Sequence, residues 1–110
     1  MTTFDERENA FEQKYAHDQE LAFRIAARCA KLLGLWAASQ MNLEGKEAEA
    51  YAESLVHAGV DKPGIAHMKI RVLADFVKKS VSVSEHMVDR HIENFLREAE
   101  NLVVKGRNRG

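Results

Sequence analysis

Cysteine, proline and an excess of either charge are all scarce in this 110-residue chain. Its single cysteine, Cys29, cannot close an internal disulfide, which points to a reducing, cytoplasmic setting. One proline and six glycines exclude collagen-like and low-complexity readings. The longest uncharged apolar run, Leu32 to Ala38, falls far short of the about 20 residues that a membrane helix needs. Met1 to Glu6 lack the basic start and apolar core of a signal peptide. With 16 basic against 17 acidic side chains there is no cationic surplus to neutralise phosphates, so no nucleic-acid partner is expected. The hydrophobic share of 45% and charged share of 30% then describe one soluble globular domain, too small for two separate cores.

The charge that is present comes in blocks. Residues 5–20 are acidic, 21–43 carry only Arg24, Arg28 and Lys31, and 44–61 are acidic again. Residues 62–79 are basic, 80–104 acidic, and the tail from Lys105 to Gly110 basic. Alternation of this kind suits helices packed antiparallel beside neighbours of opposite sign.

Helical periodicity is strong from residue 20 onward. Leu21, Ile25, Cys29, Leu32, Leu35 and Trp36 recur mostly at three- and four-residue steps, among alanines, and Asn42 is a reasonable stop. Gly34 within this stripe is the kind of residue that lets another helix approach closely. A second helix starts at Gly45, buries Ala48, Tyr51, Ala52, Leu55 and Val56, and is expected to end before Gly59. Pro63 suits the first turn of a third helix, led in by Asp61 or Lys62, whose stripe is Ile65, Met68, Val72, Leu73, Phe76 and Val77. Ser80 to Ser84 alternates like a strand but has no second strand to pair with, so a loop with Ser84 as N-cap is expected. Val88, Ile92, Phe95, Leu96, Ala99, Leu102 and Val103 form the fourth stripe. The fold class is therefore all-α, a four-helix antiparallel bundle over residues 20–110.

Residues 1–19 differ. Thr3 and Glu6 have capping-box spacing, and the large apolar side chains are Phe4, Phe11 and Tyr15, which share one helical face among charges. A helix running back from Leu21 would project beyond the bundle, because the later helices are expected to be shorter. Isolated helices of this length are marginal in water. The segment is therefore expected to be a mobile helical extension that orders against a partner. The alternative is that its three rings fold back onto the bundle as core.

Catalytic chemistry finds no constellation here, and neither a metal nor a cofactor is expected. His17, His57, His67, His86 and His91 are scattered, and the paired Glu-x-x-His set of a di-iron bundle is absent. Lys69, Arg71, Lys78 and Lys79 form a basic block that could hold a nucleotide or other anion if it is not simply a solvated face. Self-association through the Phe4, Phe11 and Tyr15 stripe is a third class of function, although the free protein is expected to be a monomer.

The stretch from Met1 to Glu8, with Phe11-Glu12, Tyr15-Ala16-His17-Asp18 and Glu20-Leu21, resembles the start of the zeta-type ATPase inhibitor subunits of alphaproteobacteria. The likeness continues through Lys31 to Ala38, Glu47 to Ala52, Pro63-Gly64 and Val83-Ser84. This resemblance implies a non-catalytic bundle that binds the catalytic head of the F-type ATP synthase, at its α, β and central shaft subunits, without entering the membrane. It further implies that the N-terminal segment inserts at a catalytic α/β interface and blocks rotation in the hydrolytic direction. Carried onto this chain, the contacts would be Phe4, Asp5, Arg7, Glu8, Phe11, Glu12, Tyr15 and Asp18. The bundle would anchor the protein outside the head.

Overall fold

A computed structural model of the chain describes residue 11 and residues 13–61 and 64–109. Four helices follow one another: α1 (Gln19–Gln40), α2 (Gly45–Asp61), α3 (Ile65–Lys78) and α4 (Glu85–Arg109). No strand occurs among the described residues, so the all-helical class holds. The Ser80 to Ser84 stretch is a connection, and the Ser84 hydroxyl accepts from the Met87 amide at 3.1 Å as an N-cap.

Short local bonds set the helix ends. The Asp18 carboxylate accepts from the Leu21 amide at 3.0 Å and starts α1. At the far end Asn42 takes a left-handed backbone (φ 61°), and the Leu43 amide reaches back to the Ala38 carbonyl at 2.9 Å. The same wrap ends α3, where Ser80 is left-handed (φ 57°) and the Val81 amide bonds the Phe76 carbonyl at 2.9 Å. Both are six-to-one closures that satisfy last-turn carbonyls. In neither does a glycine stand at the left-handed position.

Two expected boundaries move. Gly59 lies inside α2, which runs on to Asp61, because the chain reverses at Gly64 instead. Gly64 has φ 128° and ψ 142°, a region closed to residues with a Cβ, and α3 begins directly after it. Asp61 thus ends α2 rather than leading into α3, and Pro63 lies outside the described residues.

The core collects one stripe from each helix: Ile25, Cys29, Leu33 and Ala37 from α1, Ala52 and Leu55 from α2, Ile65, Met68, Val72 and Phe76 from α3, and Val88, Ile92, Leu96 and Ala99 from α4. Helix α1 is central and lies against both α2 and α4. Its buried line runs at strict four-residue steps on the alanine side, leaving Leu32, Leu35 and Trp36 only half-buried. Val77 and Leu102, placed in stripes by spacing, are exposed, because the buried lines of α3 and α4 pass through Phe76 and Ala99. No charged or polar side chain is buried among the described residues.

Cross-helix ion pairs tie α1 to α2 and α3 to α4. Lys31 of α1 bridges Glu49 at 2.7 Å and Glu53 at 2.9 Å on α2. Lys69 of α3 bridges Glu85 at 2.6 Å and Asp89 at 2.9 Å on α4. Basic blocks therefore do face acidic ones; the Lys31 pairs, whose acids are exposed, contribute little each, whereas Lys69 and Asp89 are largely shielded from solvent. Helix α4 is the longest of the four, which corrects the expectation that nothing could cover the chain before α1.

Candidate partner-binding segment and its groove

Phe11, Gln13 and Lys14 are helical, and the chain then turns through Tyr15, Ala16 and His17 before Asp18 opens α1. The Tyr15 amide bonds the Phe11 carbonyl at 3.2 Å, and the Asp18 amide bonds the Tyr15 carbonyl at 3.1 Å. Because the turn intervenes, the described residues before Asp18 do not extend α1 as a rod, and Lys14 and Tyr15 reach Glu100 of α4.

Among the described residues, two rings and one carboxylate take part in the attachment. The Phe11 and Tyr15 rings lie 5.2 Å apart at 56°, and Tyr15 is only 8% exposed. At the polar edge of that ring the Tyr15 hydroxyl donates to Glu100 of α4 at 2.5 Å. Lys14 donates to the same Glu100 oxygen at 3.0 Å, with its ammonium 5.4 Å from the Tyr15 ring centre. Burial pushes the Tyr15 phenol above its usual range, and its bond to Glu100 adds to the shift. The hydrogen bond to Glu100 likewise raises Lys14.

Beside these rings runs an apolar groove of about 530 Å³ between the segment, α1, the end of α2 and the start of α3. Phe11, Tyr15, Phe23, Ala26, Val56 and Met68 are among its walls. Phe23 is 51% exposed there. Its spacing leaves it off the core stripe of α1, so periodicity gave no reason to single it out.

Of the residues expected at a partner contact, Phe11 and Tyr15 are brought together. Asp18 is engaged as the α1 cap. Phe4, Asp5, Arg7, Glu8 and Glu12 lie outside the described residues, as do Thr3 and Glu6. Glu100 went unnoticed in the sequence, where it is one acid among many, 85 positions from Tyr15.

The basic residues of α3 diverge. Lys69 turns to α4; burial opposes its charge, but Glu85 and Asp89 outweigh this and raise its pKa. Arg71 turns to α2, donating to the Ser54 hydroxyl at 3.0 Å and to Asp75 at 3.3 Å, 5.9 Å from the Tyr51 ring centre. Tyr51 in turn donates to Asp75 at 2.7 Å. Burial, with that bond, holds the Tyr51 phenol well above the usual tyrosine range. Lys78 and Lys79 are exposed at the end of α3. Lys69 and Arg71 thus turn to different neighbours.

His91, one of the scattered histidines, stacks on Trp36 with ring centres 4.0 Å apart at 24°. Trp36 also meets Phe76 edge-on at 5.8 Å. Cys29 is fully buried, and desolvation pushes its thiol up to about 12. No group of three His, Cys, Asp or Glu side chains suited to a metal ion occurs among the described residues. No described helix is long and apolar enough to cross a membrane.

In comparison with known proteins, the family model described as ATPase inhibitor subunit zeta matches residues 1–101. Neither a curated protein nor a solved structure matches.

Proposed function

Because the chain belongs to the ATPase inhibitor subunit zeta family, we propose that it is a non-catalytic subunit that restrains ATP hydrolysis by the catalytic head of an F-type ATP synthase. Met1 to Asp18 enter a catalytic α/β interface beside the central shaft, and the bundle from α1 onward anchors the protein outside. The observation that carries this reading is the family match, which runs without interruption from residue 1 through all but the last turns of α4.

The geometry supports a division of labour. The Asp18 cap on α1 is made by its own side chain, so residues before it can change partner without removing that bond. Phe11 and Tyr15 supply aromatic anchors within a charged segment, which suits a cleft with apolar and charged walls. Ordering such a segment in a cleft costs roughly 1–2 kcal/mol per residue in backbone entropy, so the contact must be extensive.

The test is the ATP hydrolysis rate of the purified catalytic head from the same organism, titrated with full-length protein and with a version beginning at Gln19. Inhibition by the first alone is expected. Binding of both without inhibition would leave an anchored but non-inhibitory subunit. Failure of both to bind would overturn the reading.

A further inference from the structure

The Tyr15 hydroxyl and the Lys14 ammonium, on neighbouring residues of the segment, both end on one oxygen of Glu100 on α4, at 2.5 and 3.0 Å. From this convergence we infer that Glu100 is the catch of an autoinhibitory latch. It holds Phe11 and residues 13–17 on the bundle in the free protein and must let go before the segment can engage its target. The inference rests on the reading of residues 1–18 as the inhibitory segment and adds its regulation.

Three observations carry it. Phe11 and Tyr15 are the segment's described aromatic anchors, and both are already committed to the bundle, Phe11 half-buried and Tyr15 8% exposed. A ring cannot occupy its own bundle and a partner's cleft at once, so the two engagements exclude each other. Second, the attachment among the described residues is two rings, one carboxylate and a turn, with α1 started afresh by the Asp18 to Leu21 bond. Third, the catch lies on α4 and not on the segment, so it can be altered without touching a proposed contact with the target.

The energetics favour a latch over a permanent dock. A neutral donor bonded to a carboxylate, together with one mostly solvated ion pair, holds an equilibrium without locking it. Apparent affinity for the target is the intrinsic affinity scaled by the released fraction. Weakening the catch therefore tightens inhibition by as much as it raises that fraction.

Glu100→Ala removes both bonds while keeping a good helix former on α4, and Glu100→Lys additionally repels Lys14. Amide exchange of residues 11–18 in the free full-length protein, read with the inhibition constant on the purified catalytic head, tests the latch. Faster exchange confined to residues 11–18, and about three- to tenfold tighter inhibition, is expected for Glu100→Ala, with a larger change for Glu100→Lys. Unchanged exchange would show that Glu100 does not hold the segment and would overturn the latch. Faster exchange with unchanged inhibition by an inhibiting wild type would overturn its regulatory role. If neither the wild type nor either variant inhibits, the inhibitory function itself fails. The exchange measurement then still decides whether Glu100 holds the segment. Inhibition by the variants and not by the wild type would support latch and function together.

Discussion

A methyl group added at Gly34 would stand 2.6 Å from the Cα of Ala52, inside any real carbon–carbon contact. Helices α1 and α2 meet backbone to backbone at this point. Gly34→Ala must push them apart or break the local fit, at about 1–3 kcal/mol. The expected result is a melting temperature lower by several degrees, with helical content retained. An unchanged melting temperature would mean that the seam can open without cost.

Gly59 is the opposite case. It sits within α2, and no described atom lies within 4 Å of where its Cβ would be. Gly59→Ala should raise stability by about 0.5–1 kcal/mol, because the unfolded chain loses freedom that the helix never used. Urea denaturation of this variant beside Gly34→Ala gives opposite signs for the same chemical change.

Removing residues 1–18 takes away the Asp18 cap and uncovers the groove wall that Tyr15 occupies. The version beginning at Gln19 should remain a cooperative helical bundle but unfold at a lower denaturant concentration, by the about 1 kcal/mol of a lost cap plus the buried ring. Far-ultraviolet circular dichroism and a urea titration check this. Loss of cooperative unfolding would make the segment part of the core.

Cys29 gives a pH dependence of definite sign. Its folded thiol titrates near 12 and an unfolded one near its ordinary value of 9.0, so the native state keeps the proton longer. The contribution is complete below about pH 9 and is lost as pH rises toward 12, at no more than about 1.4 kcal/mol per pH unit. Tyr15 and Tyr51 shift in the same direction. Cys29→Ala should therefore be less stable at pH 7 yet lose less on going from pH 9 to 10.5. Equal slopes for the variant and the wild type would exclude this role for the thiol.

Phe11→Ala should weaken inhibition by about 1–3 kcal/mol if Phe11 is an anchor. Phe11 is half-buried against Tyr15, so a small fall in melting temperature should accompany it. A large fall with unaltered inhibition would place its importance in the bundle alone.

The stripes were legible because each helix buries a line at three- and four-residue steps, and Ile25, Cys29, Val72, Val88 and Ile92 obey that rule without exception. Gly34 was legible for the same reason, as a small residue within a core stripe. Helix ends were legible at Asn42 and Ser80, where the expected stops stand, but Gly59 drew the end of α2 too early while Gly64 made the turn. The segment's attachment was hidden because it depends on Glu100, which no periodicity connects to Tyr15. The basic residues of α3 look like a cluster in the chain, but Lys69 and Arg71 are two positions apart on a helix and so face different neighbours.

Trp36, the chain's one tryptophan, stacks on His91 across the α1–α4 seam. It stands 17 residues beyond the start of α1, roughly 25 Å along the axis from where the N-terminal segment joins. Its fluorescence is therefore a built-in optical reporter of the seam, blind to events at the other end of the helix. Emission that stays constant while the segment leaves, and changes only when the helices part, lets release and unfolding be watched separately in one unlabelled sample.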